Sequence, residues 1–135
     1  MNGFDYFKKC ISNDYANFNG RARRSEFWYF TLFNLLIILP INIFSSPIFG
    51  EEFASILKIL ISLLLFTPTI AVTARRLHDV NLSGWFMVIQ IIPLAGIFLL
   101  IKFCQDGDSH TNKYGTDPKG RNLEFEFETI HNQKI

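Results

Sequence analysis

Residues 27–44 read FWYFTLFNLLIILPINIF and contain no charged side chain. As a helix rising about 1.5 Å per residue, the stretch covers roughly 27 Å, close to the ~30 Å hydrocarbon core of a bilayer. It is too long and too apolar for a soluble domain and is read as a transmembrane helix. Asn34, Pro40 and Asn42 interrupt it. Proline is tolerated in membrane helices where neighbours satisfy the freed backbone group.

Two further apolar blocks follow. Residues 53–72, FASILKILISLLLFTPTIAV, carry one charge, Lys58, near the start. A lysine there can send its ammonium along its own stem to the headgroups, so this is a second span. Residues 85–103, WFMVIQIIPLAGIFLLIKF, hold Gln90 and the stretch Pro93-Leu94-Ala95-Gly96 near their middle. Read straight, the block is a third span. Read as broken near Pro93, it is a re-entrant hairpin of two arms, each too short to cross alone. The straight span is preferred, because the total length fits one crossing.

Upstream, Phe4, Phe7, Ile11, Tyr15 and Phe18 recur at three- and four-residue steps, which predicts an amphipathic helix over 1–19. It either rests in the membrane interface or packs on the spans. Residues 104–122 are rich in Asp, Gly, Ser, Asn and Pro and read as a polar, turn-rich tail. LEFEFETI (123–130) alternates with period two, as a short strand or an unstructured extension would, and opens an acidic C-terminal extension over 123–135. The expected fold is therefore an all-α integral membrane protein. Three transmembrane helices follow an amphipathic one within a single membrane domain, 1–122.

Composition narrows the function. A chain of 135 residues is one compact unit, and a net charge of +1 gives no basic footprint for nucleic acid. Cys10 and Cys104 stand far apart without metal-ligand spacing. No cleavable signal peptide is visible at the start. Neither metal nor cofactor is expected.

Basic residues near span ends favour the cytoplasmic side. Lys8, Lys9, Arg21, Arg23 and Arg24 precede the first span, SSPIFGEE between the first two spans has none, and Arg75 and Arg76 follow the second. The pattern predicts a cytoplasmic N-terminus. Three crossings would place the tail outside, yet Lys102, Lys113, Lys119 and Arg121 favour the cytoplasm, so the side of the tail stays open.

Three polar clusters could carry function. In GRARRSEFWY (20–29), Arg21, Arg23, Arg24 and Glu26 meet the aromatic belt opened by Trp28, an arrangement suited to anionic headgroups, and Ser25 could cap the first span. In ARRLHD (74–79), Arg75, Arg76, His78 and Asp79 follow the second span. An imidazole oriented by a carboxylate could move a proton, but sequence neighbours on a helix point about 100° apart and no nucleophile stands at a diagnostic spacing. The tail cluster contains Asn112, Tyr114 and Asp117, and its Asp-rich start lacks the glycine and glutamate positions of a calcium loop.

The order GRARRSEFW, an apolar span, ARRLHDVNLSGW and then NKYGTDP resembles the domain-of-unknown-function 805 family of small bacterial inner-membrane proteins, from about Tyr15 to Pro118. The resemblance implies a multi-pass protein of the inner membrane and supplies no catalytic residue. Signature positions carried over are Arg21, Arg23, Arg24, Glu26, Trp28, Arg75, Arg76, Leu77, His78, Asp79, Gly84, Asn112, Tyr114, Gly115, Asp117 and Pro118. The expected function is a non-enzymatic membrane component. Its expected partners are the lipid bilayer, anionic headgroups, another membrane protein or a second copy. A subunit of a small transporter or channel is the alternative, motivated by Asn34, Asn42, Lys58 and Gln90 within the blocks.

Overall fold

The computed structural model describes residues 1–121 and His131; the strand and most of the acidic extension expected after Arg121 lie outside the described residues. Every regular element among the described residues is helical. In chain order these are α1 (Gly3–Ile11), α2 (Arg24–Phe49), α3 (Glu51–Asp79), a 3-10 helix (Gly84–Ile91) and α4 (Pro93–Cys104). They form two compact units, Met1–Phe18 with Ser25–Val72, and Asn19–Arg24 with the described residues from Thr73 onward.

In the first unit, α2 and α3 turn the apolar patterning outward. The most apolar window of α2 is only 6% buried and that of α3 28%, so neither is the core helix of a soluble protein. Leu36, Ile43, Ile59 and Leu63 are each more than half exposed. In water every such side chain would forgo about 1.5–3 kcal/mol of burial. Against lipid there is no such loss, and a helix satisfies most of its backbone groups between its ends internally, as a bilayer requires.

The helices run further than the apolar blocks. The expected loop SSPIFGEE is almost wholly helical, and Gly50 alone separates α2 from α3. Its φ of 81° is a left-handed conformation open to glycine, and its N–H and C=O still bond Ser46 and Ala54. At the other end of α2 the helix starts at Arg24, so Ser25 lies inside the first turn rather than capping it.

The amphipathic helix is shorter than expected. It stops at Ile11, not Asn19; Ser12 caps that end, with its backbone N–H (2.9 Å) and its hydroxyl (2.7 Å) both directed at the Lys8 carbonyl. It packs on α2: Phe7 meets Phe30 and Phe33 with ring centroids 5.8 and 5.3 Å apart, and Tyr6 stacks on Tyr29. Lys9 pairs with the buried Glu26 at 3.0 Å. Tyr15, past the helix end, donates to the Leu64 carbonyl at 2.8 Å.

The polar interruptions bond one another. Asn34 donates to Thr69 (3.1 Å), and Lys58 donates to Ser46, whose hydroxyl donates to Glu51.

In the second unit the third apolar block departs from a straight span. A 3-10 helix of 8 residues ends at Ile91, Ile92 is extended, and Pro93 opens an α-helix of 12 residues. Proline has no N–H to donate and disfavours a helical conformation in the residue before it, which favours a break here, although Pro40, Pro47 and Pro68 lie within continuous helices. At about 2.0 and 1.5 Å per residue the two arms measure roughly 16 and 18 Å.

Candidate functional site

The second unit collects residues from all three sequence clusters. Its centre is the C-terminal end of α3, where a helix leaves its last carbonyls without internal partners. Here they are taken up from the chain around them. The His78 carbonyl accepts from the Asn112 side chain (3.0 Å) and the Asp79 carbonyl from the Asp108 N–H (2.9 Å). Leu82 folds back on the Leu77 carbonyl (2.9 Å), through a turn that puts Asn81 at φ 59°. Asparagine tolerates that left-handed conformation better than most residues.

Arg76 is the largest side chain with essentially no solvent exposure. One edge of its guanidinium meets the Asp79 carboxylate at 2.5 Å. The other reaches the carbonyls of Lys102, Phe103 and Gln105, the last at very short range. These are the orphan carbonyls at the end of α4. A planar group with five donors and a permanent charge suits that position, because helix C-termini carry partial negative charge. Arg24 adds a bond to the neighbouring Cys104 carbonyl (3.3 Å).

Arg21 performs the same task for the tail. Its Nε donates to the second Asp79 oxygen at 2.9 Å, and its Nη atoms donate to the carbonyls of His110 (2.8 Å), Gly115 (3.3 Å) and Asp108. The adjacent Ala22 N–H bonds the Arg75 carbonyl (3.0 Å), and Arg23 bonds the Pro118 carbonyl. Asp79, 3% exposed, is thus held between two guanidinium groups. A buried carboxylate is tolerable only with such partners.

The tail has its own fasteners. Asp117 caps the turn after it, accepting from the N–H groups of Lys119 (3.0 Å) and Arg121 (3.2 Å) and from the Arg121 side chain (2.7 Å). Burial opposes its charge, but these donors outweigh burial and hold its pKa down at about 2. Asn112 and Gly115 exchange both backbone bonds at 3.0 Å, closing a tight turn around Tyr114. Tyr114 lies flat on His78, with centroids 3.8 Å apart and planes 7° from parallel. His78 stands past the apolar stretch 53–72. Its Nδ1 donates to the Gly20 carbonyl (3.1 Å), and burial lowers its pKa, so the ring is neutral near pH 7.

The structure therefore separates His78 from Asp79: one ring stacks on the tail while the carboxylate takes two arginines. Arg21, Arg23, Arg24, Arg75, Arg76, His78, Asp79, Asn112, Tyr114 and Asp117 share one unit, while Glu26 and Trp28 belong to the other. Glu26 pairs with Lys9, and Trp28 meets Phe27 edge-on. Among the described residues no three His, Cys, Asp or Glu side chains converge as metal ligands. The loop 108–113 and Asn81 line an open polar pocket of about 400 Å³.

Sequence reasoning gave Gly107 and Arg121 no place in the site, reading Arg121 only as a basic residue of the tail and Gly107 only within a rejected calcium loop. A Cβ on Gly107 would collide with the Asp79 carboxylate, so only glycine fits there. The Asp-Gly-Asp turn signal around it marks a turn but not its neighbour.

Comparison with known proteins agrees with the sequence resemblance. Residues 15–116 match the family described as "Protein of unknown function (DUF805)". Inner membrane protein YhaI of Escherichia coli K12 is 41% identical over 110 residues, covering 81% of this chain and 92% of the relative. Inner membrane protein YhaH of the same strain is 36% identical over 118 residues, covering 85% and 97%. No solved structure matches.

Proposed function

Because the chain belongs to the DUF805 family and is a membrane protein, we propose that it is a non-enzymatic, multi-pass component of the bacterial inner membrane that engages anionic lipid headgroups through its polar unit. One observation carries this reading: Arg21, Arg76 and Asp79 are buried and bonded to one another's partners and to backbone carbonyls. Groups committed in that way hold a scaffold together, which supports a structural role for this cluster. The exposed cations of this unit, among them Arg24 and Lys113, remain for headgroups.

The same network supports two crossings with the third block re-entrant. The segment before α2 and the end of α3 are bonded together, so a chain that crosses in α2 returns in α3. Arg76 bonds the end of the third block to the same end of α3, which supports a block that returns to the side it left. Every arm of the block is shorter than the ~30 Å a span needs. The tail then lies with the segment before α2, and Lys102, Lys113, Lys119 and Arg121 join Arg21 and Arg23 on the cytoplasmic side. The charge pattern no longer conflicts with itself.

Two experiments test the reading. Purified protein should bind vesicles containing phosphatidylglycerol, and Arg24→Gln with Lys113→Gln should each weaken binding by about 1 kcal/mol. Unchanged binding, or turnover of any substrate lost on His78→Ala, overturns it. For topology, Cys10 is fully buried and a poor probe, so an exposed cysteine is placed by Ser12→Cys in a Cys10→Ser background. Labelling of that thiol and of Cys104 from the same side supports two crossings; labelling from opposite sides refutes them.

A further inference from the structure

Between Gly84 and Cys104 the chain leaves one buried node and returns to it. Gly84 lies so close to Ala74 that a Cβ would stand 3.1 Å from the alanine methyl. Two residues further along α3, Arg76 holds the Phe103 carbonyl at 3.1 Å. Between these anchors residues 85–101 carry no charge. Trp85, Ile91 and Leu94 are each more than 80% exposed. A Cβ at Gly96 would stand 3.8 Å from the Gln90 carbonyl, so the two arms come within van der Waals reach of each other there.

We propose that this hairpin is a one-leaflet membrane insertion, taking up the acyl chains of the leaflet on the side of Arg21 and Arg76. The inference rests on the re-entrant reading above and goes beyond it by naming the depth and the lipid layer. Length makes the argument. Arms of roughly 16 and 18 Å match half of a ~30 Å hydrocarbon core, so the tip at Ile91–Leu94 reaches the midplane and stops. A contiguous apolar surface without charges suits acyl chains. The ends carry interfacial anchors: Trp85 at the entrance, and Lys102 at the exit with its ammonium 5.6 Å above the Phe98 ring. Gln90, exposed beside the tip, is the polar exception and limits how firmly the hairpin inserts. Added cross-section in one leaflet favours membranes whose lipids are loosely packed on that side.

Depth-dependent fluorescence quenching of the full chain in phosphatidylcholine–phosphatidylglycerol vesicles tests this. Trp28→Phe leaves Trp85 as the reporter of the entrance. Adding Trp85→Phe with Leu94→Trp, or with Ile91→Trp as a second choice, reports the tip. The tip tryptophan should emit to the blue of Trp85. It should be quenched most by lipids brominated near the chain ends and lose its sensitivity to aqueous iodide. Trp85 should respond most to lipids brominated near the headgroup. Gln90→Leu should shift the tip emission further to the blue. A tip quenched by iodide, or most strongly by shallow bromines, overturns the insertion. The thiol assay with Ser12→Cys and Cys104 keeps the two readings apart. Opposite-side labelling refutes the re-entrant topology itself, whereas same-side labelling with a shallow tip refutes only the insertion.

Discussion

The two units stabilise themselves by opposite means. Around α2 and α3 the apolar side chains face outward, few are buried, and cohesion comes from the aromatic seam of α1 on α2 and isolated polar pairs such as Asn34 with Thr69. The unit built on Arg21, Arg76 and Asp79 instead buries charge and spends guanidinium donors on backbone carbonyls. The first arrangement suits a solvent that offers hydrocarbon contact but no hydrogen bonds. The second works only where every buried donor and acceptor meets a partner. A membrane protein of this size thus places its structural specificity in the polar unit, while its apolar helices need only length and hydropathy.

That contrast can be broken at its strongest point first. Asp79→Ala leaves two buried guanidinium groups without their carboxylate and should cost about 3–5 kcal/mol, the penalty for an uncompensated buried charge. Thermal unfolding in detergent and protease cleavage within residues 104–121 would register it; a melting temperature unchanged from the parent would refute the network's role. Gly107→Ala drives a methyl group into the same carboxylate and should cost about 1–3 kcal/mol as an overpacking change.

Acid provides a graded version. Asp117 titrates at about 2 in the fold against an ordinary value of 3.8, so its depressed pKa contributes stability above pH 3.8 that fades as the pH falls toward 2. The shift corresponds to roughly 2 kcal/mol. Asp117→Asn should remove that part of the acid-unfolding transition while leaving the rest, and an identical acid profile would count against the assignment. The smallest effect belongs to the apolar unit: Leu36→Ala, at a position 57% exposed, should change stability by no more than about 0.5 kcal/mol. A large loss there would mean that this face packs against protein rather than lipid.

Much of the framework was legible from residues alone. The uncharged run at 27–44 and the run at 53–72, with Lys58 as its one charge, contain enough apolar length for spans, and helices occupy both. The third block was readable only as two alternatives, and the straight span expected over 85–103 is replaced by a 3-10 helix and α4 separated at Ile92. Length favoured one crossing, but length says nothing about where the block's two ends are tied. The three clusters were visible as clusters, and their composition suggested headgroup contact. Nothing in the pattern indicated that Arg76 would be enclosed while Arg24 stayed exposed.

The sequence by itself determined that the protein belongs in a membrane, because transfer of an uncharged apolar helix depends on composition and length and hardly on neighbours. It also determined where the chain could break, since proline constrains its own backbone and the residue before it wherever it stands. Tertiary structure alone decided that Arg21, Arg76, Asp79 and the tail would converge. The partners of those arginines are mostly main-chain carbonyls of residues 102–118, which every sequence possesses and which acquire direction only once the chain has folded.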